Sequence, residues 1–143
     1  KIIIGLTKQT KGDLINHSED KVCFLGHKNN LKDYLSIREN FMIQGLKLDS
    51  LNLDLLEQFN LRRHIDNSVG TLSFGQQKKL SLVRVLNSDE KILILDEPFV
   101  GLDENSKEFL NNFMESKVKE NKTVIFTSHI DYKDDYREIK IDG

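Results

Sequence analysis

Residues 91–106 read KILILDEPFVGLDENS. Four aliphatic residues, Ile92 to Leu95, stop at two adjacent carboxylates, Asp96 and Glu97, and these precede Pro98, the only proline in the chain. A continuous apolar run of this length predicts a central parallel strand buried on both faces. A carboxylate at the end of such a strand can hold Mg²⁺ through water. Its neighbour, facing another way, can polarise an attacking water. The competing reading of the pair is a turn or a helix cap.

Downstream, TVIFTS at 123–128 predicts a second buried strand, and His129 ends it. If the two strands are neighbours, His129 lies beside the carboxylates, where an imidazole can donate to a terminal phosphate and orient the attacked water. Between the strands, Asp103 is placed to cap a helix over 104–119 with Phe109, Leu110 and Phe113 facing inward. Upstream, LSFGQQ opens a helix over 72–87, with Ser73 at the N-cap, Gln76 three positions on, and Leu80, Val83 and Leu86 on one face. Ser73 and the Gly75 amide at that helix start could receive an anion, with Gly75 admitting close approach; a plain capped helix is the alternative.

The rest of the chain supplies the frame. Ser36 and Glu39 have capping-box spacing, which predicts a helix from about 36 to 45, and Leu51, Leu55, Leu56 and Phe59 predict another. DLI and VCFLG read as short strands, KIIIGL as a strand or the last turn of a helix stopped at Gly5, and REIKI as a weak final strand. His17 and His64 read as surface or loop residues. The order predicts an α/β fold: a three-layer core from residues 1–27 and 89–143, with a helical subdomain, 28–88, inserted into it. In such cores ligand groups gather at the carboxyl ends of parallel strands.

Composition sets outer bounds. The chain has 143 residues, 38% hydrophobic, with 31% charged and a net charge of −2. This fits one domain with a modest core and no strong field for nucleic acid. The single cysteine, Cys23, excludes an internal disulfide and sits in an apolar stretch as a small buried thiol. No apolar run approaches the ~20 residues needed to span a bilayer, so any link to a membrane is expected to go through another protein. A Gly-x-x-x-x-Gly-Lys-Ser/Thr phosphate loop is not found in these residues. The chain starts at Lys1, and it is expected to be part of something longer.

LSFGQQ (72–77), ILILDEP (92–98), GLD (101–103) and TSH (127–129) together resemble the signature, Walker B, D-loop and H-loop motifs of the ATP-binding-cassette (ABC) ATPases, in that order. FLGHKNNLKDYLSIREN resembles the region around the Q-loop. The resemblance covers essentially the whole chain and implies a P-loop NTPase-like (RecA-like) core, truncated at its N-terminus so that the Walker A loop and adenine platform are missing. It implies that Asp96 holds Mg²⁺ through water, that Glu97 is the catalytic carboxylate, and that His129 contacts the γ-phosphate. By the same resemblance Ser73, Phe74, Gly75 and Gln76 close on ATP held by a second cassette, paired head to tail, with Asp103 at the seam. His27 stands where the family usually has Gln, and would bridge to Mg²⁺-bound water or the γ-phosphate with pH sensitivity near neutrality; a solvated loop histidine is the alternative. Phe74 replaces a usual Gly, and packs on the partner or weakens the site.

In its details the chain is most similar to the haem-exporter ATP-binding subunits of bacterial cytochrome c maturation. That implies an ATPase working with transmembrane subunits, peripheral on the cytoplasmic side of the cell membrane, with no nucleic-acid partner. Residues 1–143 alone are expected to be inactive. The alternatives are the ATPase of a different transporter, or a non-transporter ABC ATPase acting on DNA or the ribosome. The helical block has no sustained heptads, which argues against the long coiled coils of the DNA-acting class.

Overall fold

The computed structural model describes residues 4, 5, 7, 8, 10–13, 21–27, 29–129, 136, 137 and 139. Three short strands, β1 (Val22–Leu25), β2 (Ile92–Leu95) and β3 (Thr123–Phe126), form a parallel sheet in the order β1-β2-β3. Leu95 pairs with Leu25 on one side and with Phe126 on the other, so all three strands end level. The ladder continues one residue further: the Asp96 N–H donates to Leu25 O at 2.8 Å and the Thr127 N–H to Leu95 O at 3.0 Å. The sheet, the residue after each strand included, therefore fixes the site before any side chain acts.

Burial corrects two expectations. Leu93 and Leu95 on β2 are fully buried, but Ile92 and Ile94 are only half-buried. The described residues thus cover one face of β2 completely and the other in part. The strand at 123–126 forms as expected but is not buried: its residues alternate between exposed and half-buried, because β3 is the edge of the described sheet. Besides its ladder with β2, β3 is held by aromatic packing, with Phe126 edge-on to Phe99 at 5.8 Å and to Tyr136 at 5.0 Å. The expected strands DLI and REIKI fall mostly outside the described residues, as does His17; of KIIIGL, Gly5 lies in a turn with φ +73°.

Between β1 and β2 the chain forms helices α1 (Ile37–Ile43), α2 (Ser50–Gln58) and α3 (Phe74–Leu86), with 3₁₀ turns at Arg62–His64 and Val69–Thr71. His64 sits in the first of these turns, half-buried. Ser36 and Glu39 close the capping box at the start of α1, and Ser73 and Gln76 close one at α3, as their spacing predicts. Buried Asn40 ties the loop after β1 to α1: its Oδ1 accepts from Lys32 N at 2.8 Å, and its Nδ2 donates to Lys32 O and Ser36 O at 3.0 Å each.

α3 differs most from its amphipathic reading. Leu80 and Val83 are buried, but so are Lys78, Lys79, Ser81, Leu82 and Val85, while Leu86 is only half-buried. The helix packs on β1 and on α2 at once, so nearly its whole circumference is covered. Its first turn also touches the loop after β2. A Cβ on Gly75 would stand 2.5 Å from the Gly101 carbonyl oxygen, and a Cβ on Gly101, itself at φ +80°, would stand 2.9 Å from the Phe74 ring. These two glycines let the helix start and the loop approach backbone to backbone.

α4 (Glu104–Lys119) begins where its cap predicts, with Asp103 accepting from Ser106 N at 2.9 Å. Leu110 and Met114 are buried, and Phe109 and Phe113 pack half-buried against the same core. The other Asp103 oxygen, Oδ2, accepts from Lys79 Nζ, which ties α3 to the start of α4. Hydrogen bonds from Lys79 first, and then from Ser106, hold the Asp103 carboxyl at about 2, below the ordinary carboxylate range. A depressed folded value means stability that is present above the ordinary carboxylate value and lost as pH falls through the folded one. Asp103→Asn is therefore expected to flatten the loss of stability between about pH 4 and pH 2, measured by urea midpoints across that range. Because Asp103 is more than half exposed, the effect is small; an unchanged acid limb in the variant would contradict the assignment.

Candidate active site at the strand ends

The level strand ends open into a cleft of about 530 Å³ lined by His27, Asp96, Glu97, Val100, Thr127, Ser128 and His129. His27 follows β1 after one glycine, Asp96 and Glu97 follow β2 directly, and Thr127 to His129 follow β3. The three parallel strands thus bring four of the expected residues together: His27, Asp96, Glu97 and His129. Of these His27 and His129 are exposed to solvent, while the Glu97 side chain is largely covered.

Within the cleft the polar groups form one chain. Thr127 Oγ1 donates to Asp96 Oδ1 at 2.8 Å and accepts from the Glu97 N–H at 3.0 Å. His129 Nε2 lies 3.2 Å from Glu97 Oε1. Glu97 holds a left-handed backbone, φ +48°, at a non-glycine position directly before Pro98. Such a conformation costs on the order of 1–3 kcal/mol and persists only where the surroundings impose it. The two consecutive carboxylates meet different partners, Asp96 at Thr127 and Glu97 at His129.

Sequence reasoning missed three contributors. Thr127 links the Asp96 carboxylate to the Glu97 main-chain N–H; the signal available was a hydroxyl residue at the end of a strand beside them. Lys78 is 3% exposed and reaches from α3 to the Asp96 carbonyl at 3.4 Å. Burial pushes its ammonium down, against the opposing pull of Asp96 and Glu97. Arg84, one further turn along α3 and beyond, donates to the Phe24 carbonyl and fastens the helix to β1.

The other expected residues lie apart. Ser73, Phe74, Gly75 and Gln76 form the start of α3 and do not line the cleft; nor does Asp103. Ser73 Oγ and Gln76 Oε1 are engaged in the capping box. Phe74 is 56% exposed, with its ring over Gly101. Signature residues and strand-end residues therefore present two separate surfaces joined through the 97–103 loop.

Among the described residues there is no group of three or more His, Cys, Asp or Glu arranged to hold a metal ion. The donor set fits a hard cation that keeps most of its water and arrives with phosphates: Mg²⁺ is typically held by one or two carboxylates plus substrate oxygens. Asp96, fixed at a strand end through Thr127, is such a carboxylate.

The ABC transporter family profile matches residues 1–100. The cytochrome c biogenesis ATP-binding export protein CcmA of Legionella pneumophila (strain Lens) is 31% identical over 96% of this chain and 76% of its own length. The ABC transporter ATP-binding protein NatA of Bacillus subtilis is 33% identical over 73% of this chain and 46% of its own. A solved ATP-binding subunit of an ABC transporter superposes with a TM-score of 0.72 at 22% identity, covering 90% of this chain and 61% of that one. The fold is thus that of the P-loop NTPases in their cassette form. With the family profile matching residues 1–100 and the Legionella protein alike along nearly the whole chain, the chain belongs to the ABC transporter family.

Proposed function

We propose that this chain is part of the ATP-binding and ATP-hydrolysing subunit of an ABC transporter, and that its transporter exports haem for cytochrome c biogenesis. The observation that carries the ATPase reading is the strand-end cleft, where Thr127 bonds Asp96 and His129 lies against Glu97. The cargo reading rests on likeness to the Legionella export protein along nearly the whole chain, where the Bacillus protein matches a shorter part. That second match favours, as the competing reading, the ATPase of a different transporter.

The roles follow from placement. Asp96 would hold Mg²⁺, which supplies charge neutralisation at the β- and γ-phosphates. Glu97 orients a water and draws on its proton as the water oxygen bonds to the γ-phosphorus and the bond to the bridging oxygen breaks, giving ADP and phosphate. His129, at present against Glu97, is exposed enough to turn its ring toward the γ-phosphate. His27 lies across the cleft, within reach of the same phosphate or its bound water. Ser73, Phe74, Gly75 and Gln76 face a second cassette's nucleotide, with Asp103 at the seam; their separation from the cleft supports that division of labour. Two cassettes would then close head to tail on two ATPs and dock on membrane subunits at the cytoplasmic face. No described helix is long and apolar enough to cross a membrane.

In the whole protein, Glu97→Gln is expected to lower ATP turnover by about 10²-fold or more, the scale of a lost general base, with ATP binding retained in an equilibrium titration. Turnover at the parental rate would remove Glu97 from its assigned role. Residues 1–143 by themselves should release phosphate from ATP no faster than a buffer control, because no Gly-x-x-x-x-Gly-Lys-Ser/Thr loop is among them; turnover like that of an intact cassette would show the phosphates are held some other way.

A further inference from the structure

Lysine is almost never fully buried unless paired, and Lys78 is 3% exposed. Its neighbour Lys79 has a carboxylate partner in Asp103, whereas the hydrogen bond that Lys78 makes goes to a main-chain oxygen, that of Asp96, at 3.4 Å. That oxygen belongs to the peptide unit joining Asp96 to Glu97. The N–H at the opposite end of the same unit donates to Thr127 Oγ1 at 3.0 Å. A peptide unit is planar, so holding its oxygen from α3 and its hydrogen from the end of β3 fixes the whole plane. The plane in turn sets the direction in which the Glu97 Cα departs, and Glu97 leaves at φ +48°.

We propose that Lys78 is a positioning residue: its buried ammonium, set against the Asp96 carbonyl, holds the left-handed turn that aims Glu97 into the strand-end cleft. Lys78 touches no reacting atom and acts through that peptide. Because it lies one turn into the helix that begins with Ser73, it also ties the signature end of α3 to the carboxylates of its own subunit. This role rests on the ATPase reading for its kinetic consequence but not for its structural one.

The test compares Lys78→Met, which keeps length and apolar stem, with Lys78→Arg, which keeps a charged donor, in the whole protein. Two quantities are read: steady-state ATP turnover, and the Glu97 backbone φ from its amide–Hα coupling by NMR. Lys78→Met is expected to lower kcat by about 10²-fold, the scale of a small misplacement of a catalytic group, with KM for ATP little changed and Glu97 out of the left-handed region. Lys78→Arg is expected to recover both in part. Parental kcat in Lys78→Met overturns the proposal, and so does a lowered kcat with the Glu97 turn unmoved. If Lys78→Met does not fold, Lys78→Gln is read by the same two measurements. Should the parent protein hydrolyse no ATP, the ATPase reading fails, and the Glu97 coupling alone decides the role of Lys78.

Discussion

The pairing of Leu95 with Leu25 on one side and Phe126 on the other levels three parallel strand ends, and the rest of the site depends on that alignment. A slip of one residue would turn alternate side chains to the opposite face of the sheet. It would bury Asp96 or withdraw it from Thr127, and the 2.8 Å bond between them would be lost. The alignment is held from beneath by Leu93 and Leu95, both fully buried; each contributes roughly 1.5–3 kcal/mol by removal from water. Core packing and site geometry are here one constraint.

On this frame the structure places a strained turn. Glu97 could relax toward ordinary backbone angles, but Lys78 and Thr127 hold opposite ends of the peptide before it, and the loop that follows is anchored at Phe99 and Leu102, both buried. The same loop passes under Phe74 at Gly101 and ends at Asp103, which caps α4 and binds Lys79. The residues from 96 to 103 are thus gripped by α3 at three successive points. A displacement of the start of α3 cannot leave the carboxylates where they were, and this gives a physical route between the surface that would meet a partner's nucleotide and the cleft that would hold the subunit's own.

Much of this was legible in the residues. ILIL followed by two carboxylates located the strand and where it stops, and Ser36, Ser73 and Asp103 located three helix starts, because local hydrogen bonds decide helix caps and leave their mark on sequence spacing. What was not legible depends on tertiary surroundings. Nothing in the spacing of α3 marks Lys78 and Lys79 for burial; they are buried because α3 is covered by β1 and α2 together. TVIF reads as a buried strand by its side chains, whereas its place at the edge of the described sheet follows from the topology. A left-handed glutamate before proline leaves no trace in composition at all.

The central claim is that the strand-end carboxylates and the α3 start serve two ends of one ATP-dependent dimer. Sedimentation velocity of the whole protein carrying Glu97→Gln tests it most directly. The account predicts a monomer without nucleotide or with ADP, and a dimer with Mg²⁺ and ATP that is lost when Ser73 is replaced by Arg. A protein that stays monomeric with ATP, or whose dimer is indifferent to nucleotide, would contradict it.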